Sequence, residues 1–413
     1  MRIAFLLDQF PTLSETFILN QIVGLIVDGH EVDIYADRPG DTAKVHHEVE
    51  KYRLLDRTYY TRIPSSRFER LVKGIELLLA NFHKNPSVLI NSLNIFKYSF
   101  SEYGEQARKL RLFYSVIPFL GKLPYDIIHC HYGRNGIRGL MLRELGILSG
   151  KLLTTFHGFD ISSYLQKYGD RIYDRLFEKG DLFLPISEHW KGRLIELGCN
   201  EKKIIVHRMG IDCTKFLFNS PELLPQDKIK IVTIARLVGK KGVEYGIRAI
   251  ATLAKLKPNI QYDIVGDGPL KENLQQLIYE LDASHVVKLL GWKQQQELLE
   301  ILKQAHIVLA PSITSKDGDQ EGIPVILMEA MATGKLVVST RYSGIPELIE
   351  DGTSGLLTEE RDVKSLVEKL NYLIENPDIW ANMALAGRVY VEKHYDIHKL
   401  NERLVEIYKQ QLL

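Results

Sequence analysis

Residues 311–344 read PSITSKDGDQEGIPVILMEAMATGKLVVSTRYSG, and no other stretch limits the fold as tightly. A polar loop passes into a short apolar helix that opens near Pro324 and closes at Gly334; the apolar run 336–340 then follows as a strand. Proline in a first helical turn loses no hydrogen bond, and glycine just past the last turn takes a positive φ without steric cost. The run 307–310 feeds this loop as a strand, so the segment reads as one unit of a parallel α/β sheet.

Glu321 stands in the loop and Glu329 about one and a half turns inside the helix. The backbone amides of Gly322, Ile323 and Val325 lie at an uncapped helix N-terminus, where free N–H groups and the positive dipole end suit an anion or a ring of hydroxyls. A carboxylate there repels phosphate but accepts hydrogen bonds from hydroxyls. The pair points to a ligand with both characters, such as a nucleotide sugar.

The 413 residues have room for two domains and two apolar cores. A formal net charge of +1 gives no electrostatic footprint for nucleic acid. Cys130, Cys199 and Cys213 are widely spaced and odd in number, which predicts free thiols in a reducing compartment. The opening apolar run 3–7 is too short for a signal-peptide core and reads as a first strand. Lys73, Glu76 and Lys97 interrupt the best candidates for the roughly 20 apolar residues that a spanning helix needs. A cytoplasmic protein is expected.

In chain order, strand 3–7 leads through a turn to a helix ending near Asp28, with Thr12 and Glu15 at capping-box spacing and Gly29 as C-cap, and then strand 31–36. This is a βαβ opening with its ligand edge at residues 8–14. Residues 62–122 are helical in texture, with Leu71, Ile75, Leu78 and Leu79 on one face, and hold ten Lys and Arg against four Glu. Two readings stay open: a patch, including Arg108, Lys109 and Arg111, that contacts the inner membrane face, or ordinary solvated faces. Strand 126–131 carries His129 and His131, read as pointing to opposite sides and so unsuited to one metal ion. Strand 151–156 runs into His157 and Gly158, where open α/β sheets bind ligands.

Strand 182–186, a helix capped by Ser187 and a strand at 203–207 complete the first half. A polar, proline-bearing linker is placed near 219–227. The second half opens on strand 230–234. Arg236 at its end and Lys241 at the next helix start can grip a diphosphate, Arg by its fork and Lys as a point charge. Strand 262–266 ends in a loop whose Gly266 and Gly268 permit close backbone approach, and strand 287–290 ends at Leu290 before Gly291 and Trp292. Asp317 and Asp319 form an Asp-x-Asp of the kind that holds manganese elsewhere; here, beside Arg236 and Lys241, no metal is assigned to it. Residues 362–413 are helical, with a break at Asn376 and Pro377.

The pattern E-G-I-P-V-x-L-x-E-A-M-A-x-G, followed by S-G-I-P-E-L-I-x-D-G-x-x-G-L-L, resembles the donor-site motif of retaining family-four glycosyltransferases. Residues 10–17, FPTLSETF, resemble the branch that builds colanic-acid-like exopolysaccharides. The resemblance, firm over about residues 205–360, implies the GT-B fold: α/β, with two Rossmann-like domains whose parallel sheets face a central cleft holding the active site. It implies an acceptor-binding domain at 1–212, a donor-binding domain at 213–385, and a C-terminal helix at 386–413 crossing back to the first. It also implies that a sugar moves from a UDP- or GDP-sugar to a lipid-linked saccharide, with no cofactor and no metal.

By the same resemblance His157, Glu321, Arg236 and Lys241 are catalytic, His157 contacting the reacting sugar and its phosphate. Gly266, Gly268, Leu290, Gly322, Ile323, Pro324 and Val325 line the donor, and Glu329 takes the ribose hydroxyls. Many relatives carry a glycine pair where Ser14 and Glu15 stand, so that pair's phosphate contact is not carried over. Ser14, Glu15, Thr16 and Asp160 are assigned to the acceptor side. Two alternatives share the fold: a nucleotide-sugar 2-epimerase, and a non-catalytic sugar-nucleotide-binding subunit.

Overall fold

The structure is a computed structural model that describes residues 1–12, 15–41, 45–94, 98–107, 110–221 and 228–413. These divide into two compact units, Met1–His207 with His398–Leu413, and Arg208–Ile397.

In the first unit six parallel strands, β1 (Arg2–Phe10), β2 (Glu31–Pro39), β3 (Thr58–Tyr60), β4 (Ile127–His131), β5 (Lys151–Phe156) and β6 (Leu182–Pro185), pair in the order β3-β2-β1-β4-β5-β6. In the second, β7 (Ile229–Ile234), β8 (Ile260–Val265), β9 (Val287–Gly291), β10 (Ile307–Ala310), β11 (Leu336–Thr340) and β12 (Leu356–Thr358) pair in the order β12-β11-β10-β7-β8-β9, again all parallel. Counted within each unit, the two wirings are the same. Strands covered by helices on both faces need continuous apolar runs, and β4, β10 and β11 are buried at every residue. Each sheet reverses direction of growth beside its first strand, between β1 and β4 and between β7 and β10, and open α/β sheets bind ligands at that crevice.

Several expectations shift. The segment 203–207 forms no strand. Ile205 and His207 donate to the carbonyls of Phe183 and Pro185, both at 3.0 Å, but only Ile204 makes a bridge, because β6 is just four residues long. The first helix starts at Thr16, since the Thr12 hydroxyl donates to the Glu15 carboxylate (3.0 Å) instead of capping backbone amides. The short strands β3 and β12 carry no pattern long enough to read.

The boundary between units falls at His207 because Ile211 is tied to the second unit's end: its amide donates to Tyr395 O and its carbonyl accepts from Ile397 N, each at 2.9 Å. Residues 386–397 stay in the second unit too, with Arg388 donating to the carbonyls of Phe216 and Ala332 at 2.6 Å. The last helix, Ile397–Leu412, completes the first unit. There Asn401 donates to Asn20 O (3.2 Å) and Tyr408 bonds His129 (2.5 Å). All three cysteines are free and buried. Among the described residues no helix is long and apolar enough to cross a membrane.

Candidate active site

In the second unit, the loops after β7, β8 and β10 carry most of the residues expected on the donor side. Arg236 lies two residues beyond β7, exposed and without an ion pair among the described residues. Its loop is backed by the loop after β8: Leu237 N donates to Asp267 O (2.9 Å), and a Cβ on Gly266 would stand 1.8 Å from Ala235 O. Gly266 and Gly268 therefore permit close approach of chain to chain, which seats the Arg236 loop. Lys241 follows in the 3₁₀ turn Gly239–Lys241, ahead of the helix Val243–Ala254. Gly242 joins them at φ +59°, where a Cβ would meet Pro311 O at 1.9 Å, so only glycine lets this turn pack under the loop after β10.

That loop brings Glu321 to Lys241, and the two form a close ion pair. The other oxygen of Glu321, Oε2, is buried without a partner. The Glu321 backbone is clamped on both sides. Its amide donates to the buried Tyr342 hydroxyl (2.6 Å), and its carbonyl accepts from the Ser343 hydroxyl (2.6 Å). At the loop's other end Thr314 N donates to Glu360 (2.6 Å), and Lys240 pairs with Asp319 (2.9 Å) beside Lys241 and Glu321.

The helix Val325–Ala332 begins after Pro324, which provides no side-chain cap. Its first amides stay available next to Gly322 and Ile323, both buried. Glu329 is half-buried on this helix, with no ion pair among the described residues, and desolvation pushes its carboxyl up to about 7. Leu290, the last residue but one of β9, is half-buried. Asp317 accepts from the Ser315 hydroxyl, and no cluster of His, Cys, Asp or Glu suited to a metal ion occurs among the described residues.

The first unit gathers its own residues at the carboxyl ends of β1, β4 and β5. Glu15 accepts from the Tyr132 hydroxyl (2.8 Å) and from Thr12, and burial raises its pKa. Thr16 opens the following helix beside it, whereas Ser14 lies outside the described residues. Tyr132 has φ +70°, rare for a bulky residue, and its ring lies 4.5 Å from that of His157. Asp8 pairs with Arg134 and accepts from Asn135 (3.1 Å). Asp160 is committed to backbone: its two oxygens accept from Gly133 N and His157 N, both at 2.9 Å, so it shapes the His157 turn.

His129 and His131 share one face of β4, against the expectation of opposite sides. Side chains two apart in a strand point the same way, and these rings stack with centroids 4.6 Å apart. The stack continues to His157, whose Nε2 lies 3.0 Å from His131 Nδ1. Burial drives His129 and His157 down to about 3 and His131 well below its ordinary value, so the row is neutral at physiological pH. Tyr132, Tyr342, Glu360 and the Lys240–Asp319 pair escaped the sequence reading. Only their proximity to named motifs hinted at them.

The sequence comparisons agree in one direction. The family model for glycosyl transferases group 1 matches residues 216–389, and that for glycosyltransferase family 4 matches 86–215. WcaL of Salmonella typhimurium, assigned to colanic acid biosynthesis as a glycosyltransferase, is 39% identical over 98% of this chain and 99% of its own. The amylovoran biosynthesis glycosyltransferase AmsK of Erwinia amylovora is 38% identical over 98% and 99%. Among solved structures, Anabaena HepE in complex with UDP-glucose superimposes with a TM-score of 0.71 at 18% identity, covering 99% of this chain and 100% of that one. Sucrose-phosphate synthase of Thermosynechococcus elongatus also gives 0.71 at 18% identity, over 99% and 98%. With the same parallel wiring in both units and near-complete coverage by these relatives, the chain belongs to the family-four glycosyltransferases and has the GT-B fold.

Proposed function

We propose that the protein is a retaining, metal-independent glycosyltransferase that moves a sugar from a nucleoside diphosphate donor to a lipid-linked saccharide during exopolysaccharide assembly. On this reading it works at the cytoplasmic face of the membrane. The Lys241–Glu321 pair beside an uncapped helix N-terminus carries the reading. In the free protein the two charges satisfy each other. An arriving diphosphate draws Lys241 to itself, and Glu321 is released to accept hydrogen bonds from the donor sugar, starting from the oxygen that has no partner.

Arg236, Lys241 and the amides at Gly322, Ile323 and Val325 oppose the charge that grows on the leaving diphosphate. The bond from the anomeric carbon to phosphate oxygen breaks, and the acceptor oxygen bonds the same face. Its proton passes to the departing phosphate. Glu329 holds the ribose hydroxyls. In the first unit Glu15 and Thr16 serve the acceptor, while Tyr132 and Asp160 set the position of His157, a neutral hydrogen-bonding group. The names of WcaL and AmsK support the exopolysaccharide role, and the UDP-glucose complex of HepE supports a nucleotide-sugar donor.

The test is donor binding and slow hydrolysis across a panel of UDP- and GDP-sugars, with Glu321→Ala and Lys241→Ala in parallel. Selective binding of one donor, with hydrolysis lost in both variants, is expected. No binding of any donor would overturn the reading, and conversion of free donor to an epimer would replace it with the epimerase.

A further inference from the structure

The helix Arg67–Asn81 turns its apolar face outward. Phe68, Leu71, Val72, Ile75, Leu79 and the C-cap Phe82 follow a spacing of three and four residues, hence one stripe, and all six are exposed, Phe68 at 75% and Leu79 at 74%. The other side rests on the protein. Gly74 is buried, with Tyr114 Oη 3.7 Å from where its Cβ would stand, and that hydroxyl donates to Arg70 O (2.6 Å). A continuous apolar stripe on a soluble surface marks an interaction site, whereas singly scattered exposed residues are ordinary.

We propose that this helix lies flat in the surface of an anionic bilayer, its stripe sunk to headgroup depth. The surrounding charge selects the occupant. Residues 62–84 hold five Lys and Arg against two Glu, in a chain whose net charge is only +1. Arg67 and Lys84 are exposed and have no ion pair among the described residues. An interfacial helix has a strong apolar face, low overall hydrophobicity and cations that meet acidic lipid.

The helix is about 22 Å long at 1.5 Å per residue, too short to cross a bilayer core of roughly 30 Å. One face about 10 Å wide also falls well short of the roughly 800 Å² per partner of a stable protein interface. The chain reaches the helix from the carboxyl end of β3, where the Tyr60 hydroxyl donates to Phe10 O (3.0 Å). All strands of this sheet are parallel, so the helix begins at the edge where Glu15, Tyr132 and His157 collect. A lipid-linked acceptor would arrive at that edge already in the plane of the membrane; this link rests on the acceptor reading above, while the docking itself does not.

Cosedimentation of the full chain with vesicles tests the proposal, comparing phosphatidylglycerol–phosphatidylcholine mixtures with pure phosphatidylcholine. The wild type should partition at least tenfold more strongly onto the anionic vesicles. Phe68→Ser with Leu79→Ser, and separately Arg67→Glu with Lys84→Glu, should each lower that partitioning about tenfold or more, with circular dichroism and soluble donor hydrolysis unchanged. A Leu79→Trp variant should shift its fluorescence to the blue on anionic vesicles. Equal pelleting of wild type and variants would overturn the proposal. So would a wild-type dimer that Phe68→Ser with Leu79→Ser makes monomeric without any vesicle binding, since a second copy would then cover the stripe. Donor hydrolysis is read without vesicles, so its failure counts against the glycosyltransferase reading and leaves the docking result standing.

Discussion

Lys241 and Glu321 neutralise each other in the free protein, and on the proposed reading a donor diphosphate and its sugar draw them apart. Each side chain is mostly shielded from solvent, 17% exposed, so neither charge can simply be left alone. Removing Lys241 should lower kcat by roughly 10²–10³-fold, the scale of a lost oxyanion donor. Glu321→Ala should act comparably. The double variant should fall well short of the product of the two losses, because either single change already breaks the pair. Steady-state kinetics on the four proteins checks this.

Tyr342 never touches the ligand in this scheme, yet its hydroxyl holds the Glu321 amide. Tyr342→Phe should reduce kcat about tenfold with little change in donor KM, because it misplaces Glu321 without removing a charge. Tyr342→Ala would lose stability as well, so Phe is the informative substitution. A Tyr342→Phe enzyme with normal kcat would show that Glu321 is positioned by other means.

Glu329 should make donor binding depend on pH. Its carboxyl titrates near 7 in the free protein, and the ionised form is the better acceptor for ribose hydroxyls. Affinity should therefore rise on the order of tenfold between pH 6 and 8, by calorimetry or fluorescence, and Glu329→Gln should flatten the curve. Stability runs the other way. An acid whose folded pKa lies above its ordinary 4.5 makes the protein less stable as pH rises from 4.5 through 7, so Glu329→Gln should have the higher Tm at pH 8.

The buried histidines give the first unit an acid limit. His129, His131, His157 and His207 are all held below 6.5 by burial, so the unfolded chain binds more protons than the folded one once the pH drops below 6.5. Stability should fall progressively from pH 6.5 down to about 3, visible as a declining urea midpoint. His207→Asn should make that decline shallower. Tyr408→Phe should cost about 1–3 kcal/mol at neutral pH, because His129 then loses a buried partner.

Turnover should be unchanged in excess chelator. Asp319 already pairs with Lys240 and Asp317 accepts from Ser315, so this Asp-x-Asp is engaged in holding the loop. Activity restored only by Mn²⁺ or Mg²⁺ after chelation would overturn the assignment.

The sequence was most readable where local chemistry decides. The bounds of β5, β10 and β11 agree with the apolar runs because Pro311, Gly334 and the His157–Gly158 pair punctuate them, and Pro324 marks a helix start that needs no partner. It was least readable where distant atoms meet. Nothing local tells that Tyr342 would hold the Glu321 amide, that Tyr132 would adopt φ +70°, or that an apolar helix face at residues 68–82 would look outward. The error over His129 and His131 was different in kind, a misread period that the strand geometry corrects.

The split of the first unit across the chain has a consequence for synthesis. The ribosome makes Met1–His207, then all of Arg208–Ile397, and only afterwards the helix that brings Tyr408 to His129 and Asn401 to Asn20. At about 5–20 residues per second the intervening stretch takes on the order of ten to forty seconds. During that wait the nascent first unit carries a bare face where its closing helix belongs. The second unit, by contrast, is continuous in sequence and can finish first, so the protein is completed in the reverse of the order in which it is begun.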